Sequence, residues 1–188
     1  MKKLIYVLMF LVLCSLSLAH IPDYSSGEII KDPEISRAFY GVLNNEVHTY
    51  TVVSEKDFLL YTNILGPYGE ETPKLSIKVY KEDELLFESA DEWEYFYEEF
   101  AKDEYWYGPE YEENVSAGEY IIEVHGEGKY SLAVGKIEKF DFPAIVKTLF
   151  ILPWIKIKIF SKPLMIISYL VIIGLIVAGI WYLIRKKK

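Results

Sequence analysis

The feature that most constrains this chain is a long apolar run close to its C-terminal end. From Pro163 to Ile184 no residue is charged, and most residues are Leu, Ile, Val or Gly. As a helix with a rise of 1.5 Å per residue, a run of this length reaches about 33 Å, which matches a hydrocarbon core of about 30 Å. We therefore predict a transmembrane helix over residues 163–184.

The residues that flank this run predict its orientation. Trp181 and Tyr182 lie where an aromatic belt would meet the lipid headgroups, and the basic tail 185–188 follows directly. Because basic residues favour the cytoplasmic side, the C-terminus is predicted to lie inside the cell. The run contains no Asp, Glu, Lys, Arg or His, which argues against a channel, a pump or a proton relay. The predicted location is the cell membrane, with a single span.

The first nineteen residues, 1–19, have the order of a secretory signal peptide. Lys2 and Lys3 precede an apolar run, and small residues then lead to a cleavage position after Ala19. An uncleaved N-terminal anchor is the alternative, and it would leave the ectodomain on the same side of the membrane. Cys14, the one cysteine of the chain, lies in this run. We interpret it as a small apolar residue, with a lipid attachment site as the alternative.

Charge separates the ectodomain from its flanks. All 28 Asp and Glu lie between residues 20 and 142, together with only 10 of the 20 Lys and Arg, so this region carries a net charge of −18. Phosphate backbones repel such a domain, which excludes nucleic acid as a partner. The predicted partners are membrane lipid and an extracellular protein or glycan, with no cofactor. The oligomeric state is left open.

Alternating hydrophobic and polar residues dominate the central region. The pattern predicts six or seven short strands and a mainly β fold, an antiparallel β-sandwich with jelly-roll-like character over residues 46–140. Residues 20–45 are assigned to an N-terminal segment of the ectodomain. Two hairpins are predicted, one turning at residues 82–84 and the other at the glycines of residues 126–128.

One short helix is predicted to interrupt the strands. Ser89 and Glu92 have the spacing of a capping box, and Trp93, Phe96 and Tyr97 then fall on one helical face. The structural interpretation is an amphipathic helix that closes one end of the sandwich.

The functional interpretation of segment 91–113 is a surface of exposed aromatic rings and carboxylates. Such a surface would stack on a carbohydrate or hold Ca²⁺. This ligand platform is predicted to consist of Trp93, Tyr97, Glu98, Trp106 and Tyr107. The structural interpretation is preferred, because an aromatic stripe at helical spacing is more often core than site.

No catalytic residue, cofactor site or metal site is predicted. His20, His48 and His125 are the only histidines, and none has a nucleophile turn or a metal-binding spacing nearby. We therefore predict a binding module and not an enzyme, with a hydrolase, including a carbohydrate-active one, as the competing class. Asn114 begins an N-glycosylation sequon in a predicted loop.

The segment before the predicted span, 141–162, is apolar and basic and contains Pro153. Alternation of isoleucine and lysine is compatible with a last strand. We favour an interfacial segment, with Trp154, Lys156 and Lys158 at the headgroups.

Residues 116–135 resemble the end of the pre-peptidase C-terminal type of β-sandwich. In that family an Ala-Gly-x-Tyr turn, here starting at Ala117, leads into one strand, and a Gly-x-Tyr-x-Leu strand, here starting at Gly128, follows. The segment that starts at Tyr50 resembles the family's opening strand. The resemblance implies an accessory domain without catalytic activity of its own.

A second resemblance, in architecture, is to the Golgi-dynamics cargo-receptor group, which also has a signal, a β-sandwich, one span and a short tail. That group has a coiled coil before the membrane. Pro143 and Pro153 are incompatible with one here.

Overall fold

The structure is a computed structural model that describes residues 20–24, 26–69, 71–89, 91–99, 103–139 and 141–161, with Gly174, Ala178, Gly179, Trp181, Tyr182 and Arg185. The predicted signal peptide, including Cys14, and most of the predicted span and basic tail lie outside the described residues. Among the residues that are described, no helix combines the length and the apolar character needed to cross a membrane.

The described residues form ten strands and one helix. In chain order they are β1 (Ile21–Asp23), β2 (Ile29–Ile30), β3 (Arg37–Asn44), β4 (His48–Ser54), β5 (Phe58–Pro67), β6 (Lys74–Lys81), β7 (Glu84–Glu88), β8 (Glu94–Glu98), β9 (Asp103–Val115), β10 (Gly118–Val134) and α1 (Phe142–Lys158). The predicted mainly β fold is confirmed.

Strand β10 organises the sheet into two layers. Its first half pairs with β4 on one side and β6 on the other, and its second half pairs with β3 and β5. The first layer therefore has the order β2-β4-β10-β6-β7, and the second has the order β1-β3-β10-β5-β9-β8. Pairing is antiparallel except between β1 and β3 and between β2 and β4.

The hairpin predicted at residues 126–128 is wrong, because β10 continues through these positions as one strand. Gly126 and Gly128 have φ angles of 111° and 119°, which favour glycine. A Cβ at Gly126 would lie 1.9 Å from the carbonyl oxygen of Lys74. The glycines therefore allow one strand to bend and change partners, where the sequence suggested a turn between two strands.

The two layers enclose one hydrophobic core. Alternate residues of β4 and β6 point inward, and Val52, Ile77 and Val79 are fully buried. Aromatic rings join the layers, as in the contact between Phe39 and Tyr50, whose ring centroids are 5.0 Å apart. The core therefore contains side chains of strands from both ends of the sequence that forms the sandwich.

Strands β1 to β3 belong to the sandwich, so the predicted boundary at residue 46 is too late. β3 pairs along its whole length with the second half of β10. The predicted β6–β7 hairpin is confirmed, with Lys81 opposite Glu84 and a positive φ at Glu82.

The predicted helix after Ser89 is wrong, because residues 94–98 form strand β8, paired with β9. Ser89 does not act as a cap: its side-chain oxygen accepts from the backbone N–H of Ile77 at 2.9 Å, and its own N–H donates to the Ile77 carbonyl at 2.9 Å. These bonds extend β7 along β6. The aromatic residues that follow also have high β propensity, which favours their pairing with β9 as a strand.

The segment after the sandwich forms helix α1, so the last-strand alternative is wrong. Asp141 caps its N-terminus, with Oδ1 accepting from the Ala144 N–H at 2.8 Å, and Pro143 lies in the first turn, where no backbone N–H is required. Pro153 lies inside the helix without ending it. One side of α1 packs against the second layer, and Phe160, just beyond the end of the helix, contacts the rings of Tyr40 and Tyr105.

Candidate binding surface

Strand β8 carries three aromatic side chains that the core does not use. Tyr95, Phe96 and Tyr97 are 53%, 41% and 45% exposed. Among the described strands β8 pairs with β9 alone, so it lies at the end of the second layer. Because successive strand residues alternate, Tyr95 and Tyr97 share one face, whereas Phe96 lies on the other, with its ring centroid 5.7 Å from that of Tyr107. Exposed aromatic rings of this kind form an apolar surface open to a partner.

Three rings on one face of the β8–β9 pair form a compact cluster. We name it the aromatic corner, and it consists of Tyr68, Tyr95 and Trp106. Tyr95 and Trp106 are register partners across β8 and β9, which places them on one face. The ring centroid of Tyr68 lies 4.9 Å from each of the other two, with interplanar angles of 76° to Tyr95 and 39° to Trp106. Because the rings are tilted against one another, they form a corner and not a flat surface.

A carboxylate borders the aromatic corner. Glu104 accepts a hydrogen bond from the Tyr95 hydroxyl at 3.2 Å and is the register partner of Tyr97. Its backbone carbonyl also accepts from the N–H of Tyr68 at 3.0 Å, which holds the end of β5 against β9. Desolvation, and then the hydrogen bond to Glu104, raise the pKa of Tyr95, so its hydroxyl remains a donor. Ring faces beside a carboxylate suit a cationic group or a sugar.

The five residues of the predicted ligand platform do not share one surface. Tyr97 and Trp106 lie on the face that carries the aromatic corner, whereas Glu98 and Tyr107 alternate to the opposite face, where α1 lies. Trp93 is partly buried and packs against the core. The structure therefore brings two of the five together.

Tyr68 and Tyr95 were missed by the sequence prediction. Tyr95 carries a signal, because it alternates with Tyr97 in a strand pattern. Tyr68 follows Pro67 beyond the end of β5 and carries no comparable signal.

The face opposite the aromatic corner contains a buried ion pair. The Lys156 ammonium on α1 donates to the Asp103 carboxylate on β9, and both side chains are 2% exposed. The prediction that Lys156 lies at the headgroups is therefore wrong. The helical turn directs this side chain toward the sheet, where the carboxylate compensates its charge.

Aromatic rings and a second carboxylate surround this pair. Phe160 packs edge-on against Tyr105, at a centroid distance of 5.2 Å, and the Lys156 Nζ lies 5.1 Å from the centre of the Phe160 ring. Burial, and then the charge of Asp103, raise the pKa of Glu98, while Lys156 opposes the shift. Burial also raises the pKa of Tyr105. The environment is therefore poorly solvated and sensitive to charge.

Two further contacts fasten the ends of α1 to the sandwich. Lys147 near its start pairs with Asp23 of β1. Lys129 of β10 donates to the Ser161 hydroxyl, just beyond its end, at 3.0 Å. The helix is thus held along its length on the second layer.

The remaining predicted sites are exposed. Asn114 lies near the end of β9, not in a loop, and is solvent-accessible. Trp154 is 47% exposed, with the Lys158 Nζ 4.9 Å from the centre of its ring. Trp181 and Tyr182 are exposed. Their glycosylation and membrane roles stay predictions.

The described histidines and carboxylates form no cluster of three or more that could hold a metal ion. The His48 Nδ1 and the Tyr130 hydroxyl are 2.7 Å apart, and the Tyr130 hydroxyl lies 2.7 Å from that of Tyr50. His125 contacts Glu123 at 2.8 Å. These two histidines thus take part in contacts between neighbouring side chains of the sheet.

No family model matches the sequence, and no curated protein is significantly similar to it. Among solved structures, the chain is similar to the pre-peptidase C-terminal domain of a collagenase from Bacillus anthracis. The similarity covers 60% of this chain and 98% of that domain, with 14% sequence identity and a TM-score of 0.40. These values are too low to assign the chain to a family or to transfer an activity to it.

Proposed function

We propose that the chain is a membrane-anchored, extracytoplasmic interaction module that binds its ligand at the aromatic corner. The observation that carries this proposal is the exposure of Tyr68 and Tyr95, which are 48% and 53% accessible although they contact other rings. A cluster of large exposed rings at the end of a sheet is typical of an interaction surface.

The anchored topology is supported by the sequence at both ends. β1 starts at Ile21, so cleavage after Ala19 would remove none of the described strands. At the other end, α1 ends at Lys158, five residues before the uncharged run begins at Pro163. A signal peptide, an acidic ectodomain and a terminal span followed by basic residues together favour a single-pass protein with its sandwich outside.

The ligand favoured by this surface carries positive charge. Tilted rings around a corner offer several π faces to one cation, which is the arrangement that attracts ammonium and guanidinium groups. Glu104 adds a carboxylate at the border, and the −18 net charge of residues 20–142 attracts cations over a longer range. We therefore propose lysine or arginine side chains of an extracellular polypeptide.

A glycan is the second candidate. Tyr95 and Tyr97, which share one exposed face of β8, offer ring faces for sugar C–H groups, and Glu104 can accept from sugar hydroxyls. A neutral glycan would bind without long-range electrostatic attraction, so its binding should depend less on salt than that of a cationic peptide.

The proposal is for binding without catalysis. His48 and His125 contact neighbouring residues of the sheet, and the half-buried Glu98 and the buried Asp103 lie on the face toward α1. The carboxylate that borders the proposed binding surface, Glu104, already accepts from Tyr95.

The test uses the full chain in lipid nanodiscs, with lysine- and arginine-rich peptides and a neutral glycan array as probes. Binding of the cationic peptides should weaken with added salt and fall about tenfold in Tyr95→Ala, the scale of one lost cation–π contact. Leu85→Ala is the matched control, because Leu85 is 46% exposed on the other layer.

Salt-insensitive glycan binding that is lost in Tyr95→Ala would favour the second candidate. Binding of neither probe, or binding that survives both Tyr95→Ala and Tyr68→Ala, would contradict a ligand site at the aromatic corner.

A further inference from the structure

Helix α1 has two apolar faces, and one of them is uncovered. The face that packs on the sandwich includes Leu152, Ile155 and Ile159, all buried. The opposite face carries Phe150, Trp154 and Ile157, which are 78%, 47% and 38% exposed. We name these three residues the outer stripe. Their spacing of four and three residues places them on one side of the helix.

A helix that packs on a sheet with one side normally presents polar residues on the other. In α1 the outer stripe is as apolar as the docked face, and Phe150 is the most exposed large hydrophobic residue among those described. Water is therefore a poor environment for this side of the helix. The stripe needs an apolar partner that the sandwich does not provide.

We propose that the outer stripe lies in the interfacial layer of the bilayer that anchors the chain, which rests on the anchored topology proposed above. The stripe is close to the predicted span, because Pro163 is only five positions after Lys158, a distance of at most about 18 Å when extended. Trp154 is a residue type enriched at the membrane interface. An interfacial helix would cover the stripe without leaving the sandwich.

Charge also favours a lipid surface. Residues 142–162 contain four lysines and no Asp or Glu. Lys156 is used in the contact with Asp103, whereas Lys158 is exposed beside Trp154 and can reach anionic headgroups. A second copy of the chain would have to bring another strongly acidic sandwich close to the first. We therefore commit to lipid as the occupant.

This arrangement orients the whole domain. Lys156 and Lys147 hold α1 on the second layer. If the outer stripe lies in the interfacial layer of the membrane, the second layer therefore faces the bilayer. The aromatic corner lies on the opposite face of the β8–β9 hairpin from Asp103 and α1. It therefore points away from the lipid, toward extracellular partners.

The test places single nitroxide labels on the full chain, with Cys14→Ser, in nanodiscs that contain anionic lipid. Phe150→Cys carries the label on the outer stripe, Leu85→Cys is the aqueous reference on β7, Tyr95→Cys reports the aromatic corner and Ala178→Cys reports the predicted span. Relaxation is measured with oxygen, which enters lipid, and with a nickel chelate, which remains in water.

The label at residue 150 should be relaxed by oxygen and shielded from nickel, at least about threefold more than the label at residue 85, since the acyl boundary excludes the chelate. The label at residue 95 should match the aqueous reference. A nickel-accessible label at 150 with a shielded label at 178 would overturn the inference and leave the anchor intact.

Two other results would also overturn the inference. Shielding of residue 150 from both reagents would mean that protein, such as a second copy, covers the stripe. A nickel-accessible label at residue 178 would remove the anchor and the proposed function with it.

Discussion

Lys156 and Asp103 meet inside the contact between α1 and β9 as a buried ion pair, although 53 residues separate them in sequence. A buried pair costs desolvation energy, so its value lies in specifying one arrangement more than in net stability. It fixes which turn of the helix faces which residue of the strand. The orientation of the sandwich on its anchor therefore depends on this pair.

Removing one partner of the pair should be strongly destabilising. Lys156→Met takes away the charge that compensates the Asp103 carboxylate, and we expect a loss of about 3–5 kcal/mol in the free energy of unfolding. The measurement is urea unfolding of the detergent-solubilised chain, followed by circular dichroism. The double variant Asp103→Leu/Lys156→Met should recover most of the loss. A double variant as unstable as the sum of the two single variants would show that the pair itself does not hold the helix.

Glu98 should make the stability pH-dependent. Burial and the charge of Asp103 raise its pKa, so the folded chain holds this proton more tightly than the unfolded chain. Stability should therefore fall as the pH rises from the ordinary value near 4.5 through the raised pKa. Glu98→Gln should abolish this fall and be more stable than the parent at pH 7.

Urea midpoints measured between pH 4 and pH 8 test this expectation. Glu94→Gln, on the same strand and exposed, is the matched control and should keep the parental slope. An unchanged slope in Glu98→Gln would mean that other groups carry the pH dependence.

The bend in β10 gives a paired test of backbone geometry. Both Gly126 and Gly128 have positive φ, but only at Gly126 would a Cβ collide with a neighbouring backbone, at 1.9 Å. Gly128→Ala should cost about 1–3 kcal/mol, from φ alone. Gly126→Ala should cost clearly more, because the collision with the Lys74 carbonyl is added. Equal unfolding free energies for the two variants would show that the strand relaxes around residue 126.

Trp93 and Tyr95 are two residues apart but should behave differently. Trp93 packs against the core, so Trp93→Ala should lower the unfolding free energy by about 1–3 kcal/mol, less than a fully buried tryptophan. Tyr95 is 53% exposed, and Tyr95→Ala should change the unfolding free energy by about 0.5 kcal/mol or less. Thermal unfolding of both variants checks this, and similar losses would mean that the aromatic corner is a structural element.

Strands β4 and β6 were predictable because their alternation matches one buried face, and β5 because it is a dense apolar run. The segment that became β8 was not, since Trp93, Phe96 and Tyr97 satisfy a helical period and aromatic residues also favour strands. The glycines of β10 gave a turn signal because a bend and a turn need the same backbone freedom. In each case pairing with a partner strand determined the secondary structure, and that partner strand is not local in sequence.

The candidate site was predictable only in part. Tyr97 and Trp106 were identified from the density of aromatic residues, but composition does not assign them to a face. Lys156 was assigned to the membrane because it lies near an apolar run. Its partner, Asp103, is distant in sequence, and no local pattern relates the two residues. Long-range pairing of this kind requires the fold.

The passage of β10 through both layers has a consequence for biogenesis. The described strands before Gly118 lack the central partner of their layer, so neither layer can close until the ribosome has supplied Val134. Folding must then wait for contacts of long sequence separation, which form slowly. Exported as we propose, the sandwich would remain an open chain during most of its synthesis and acquire its structure when its anchor is about to enter the membrane.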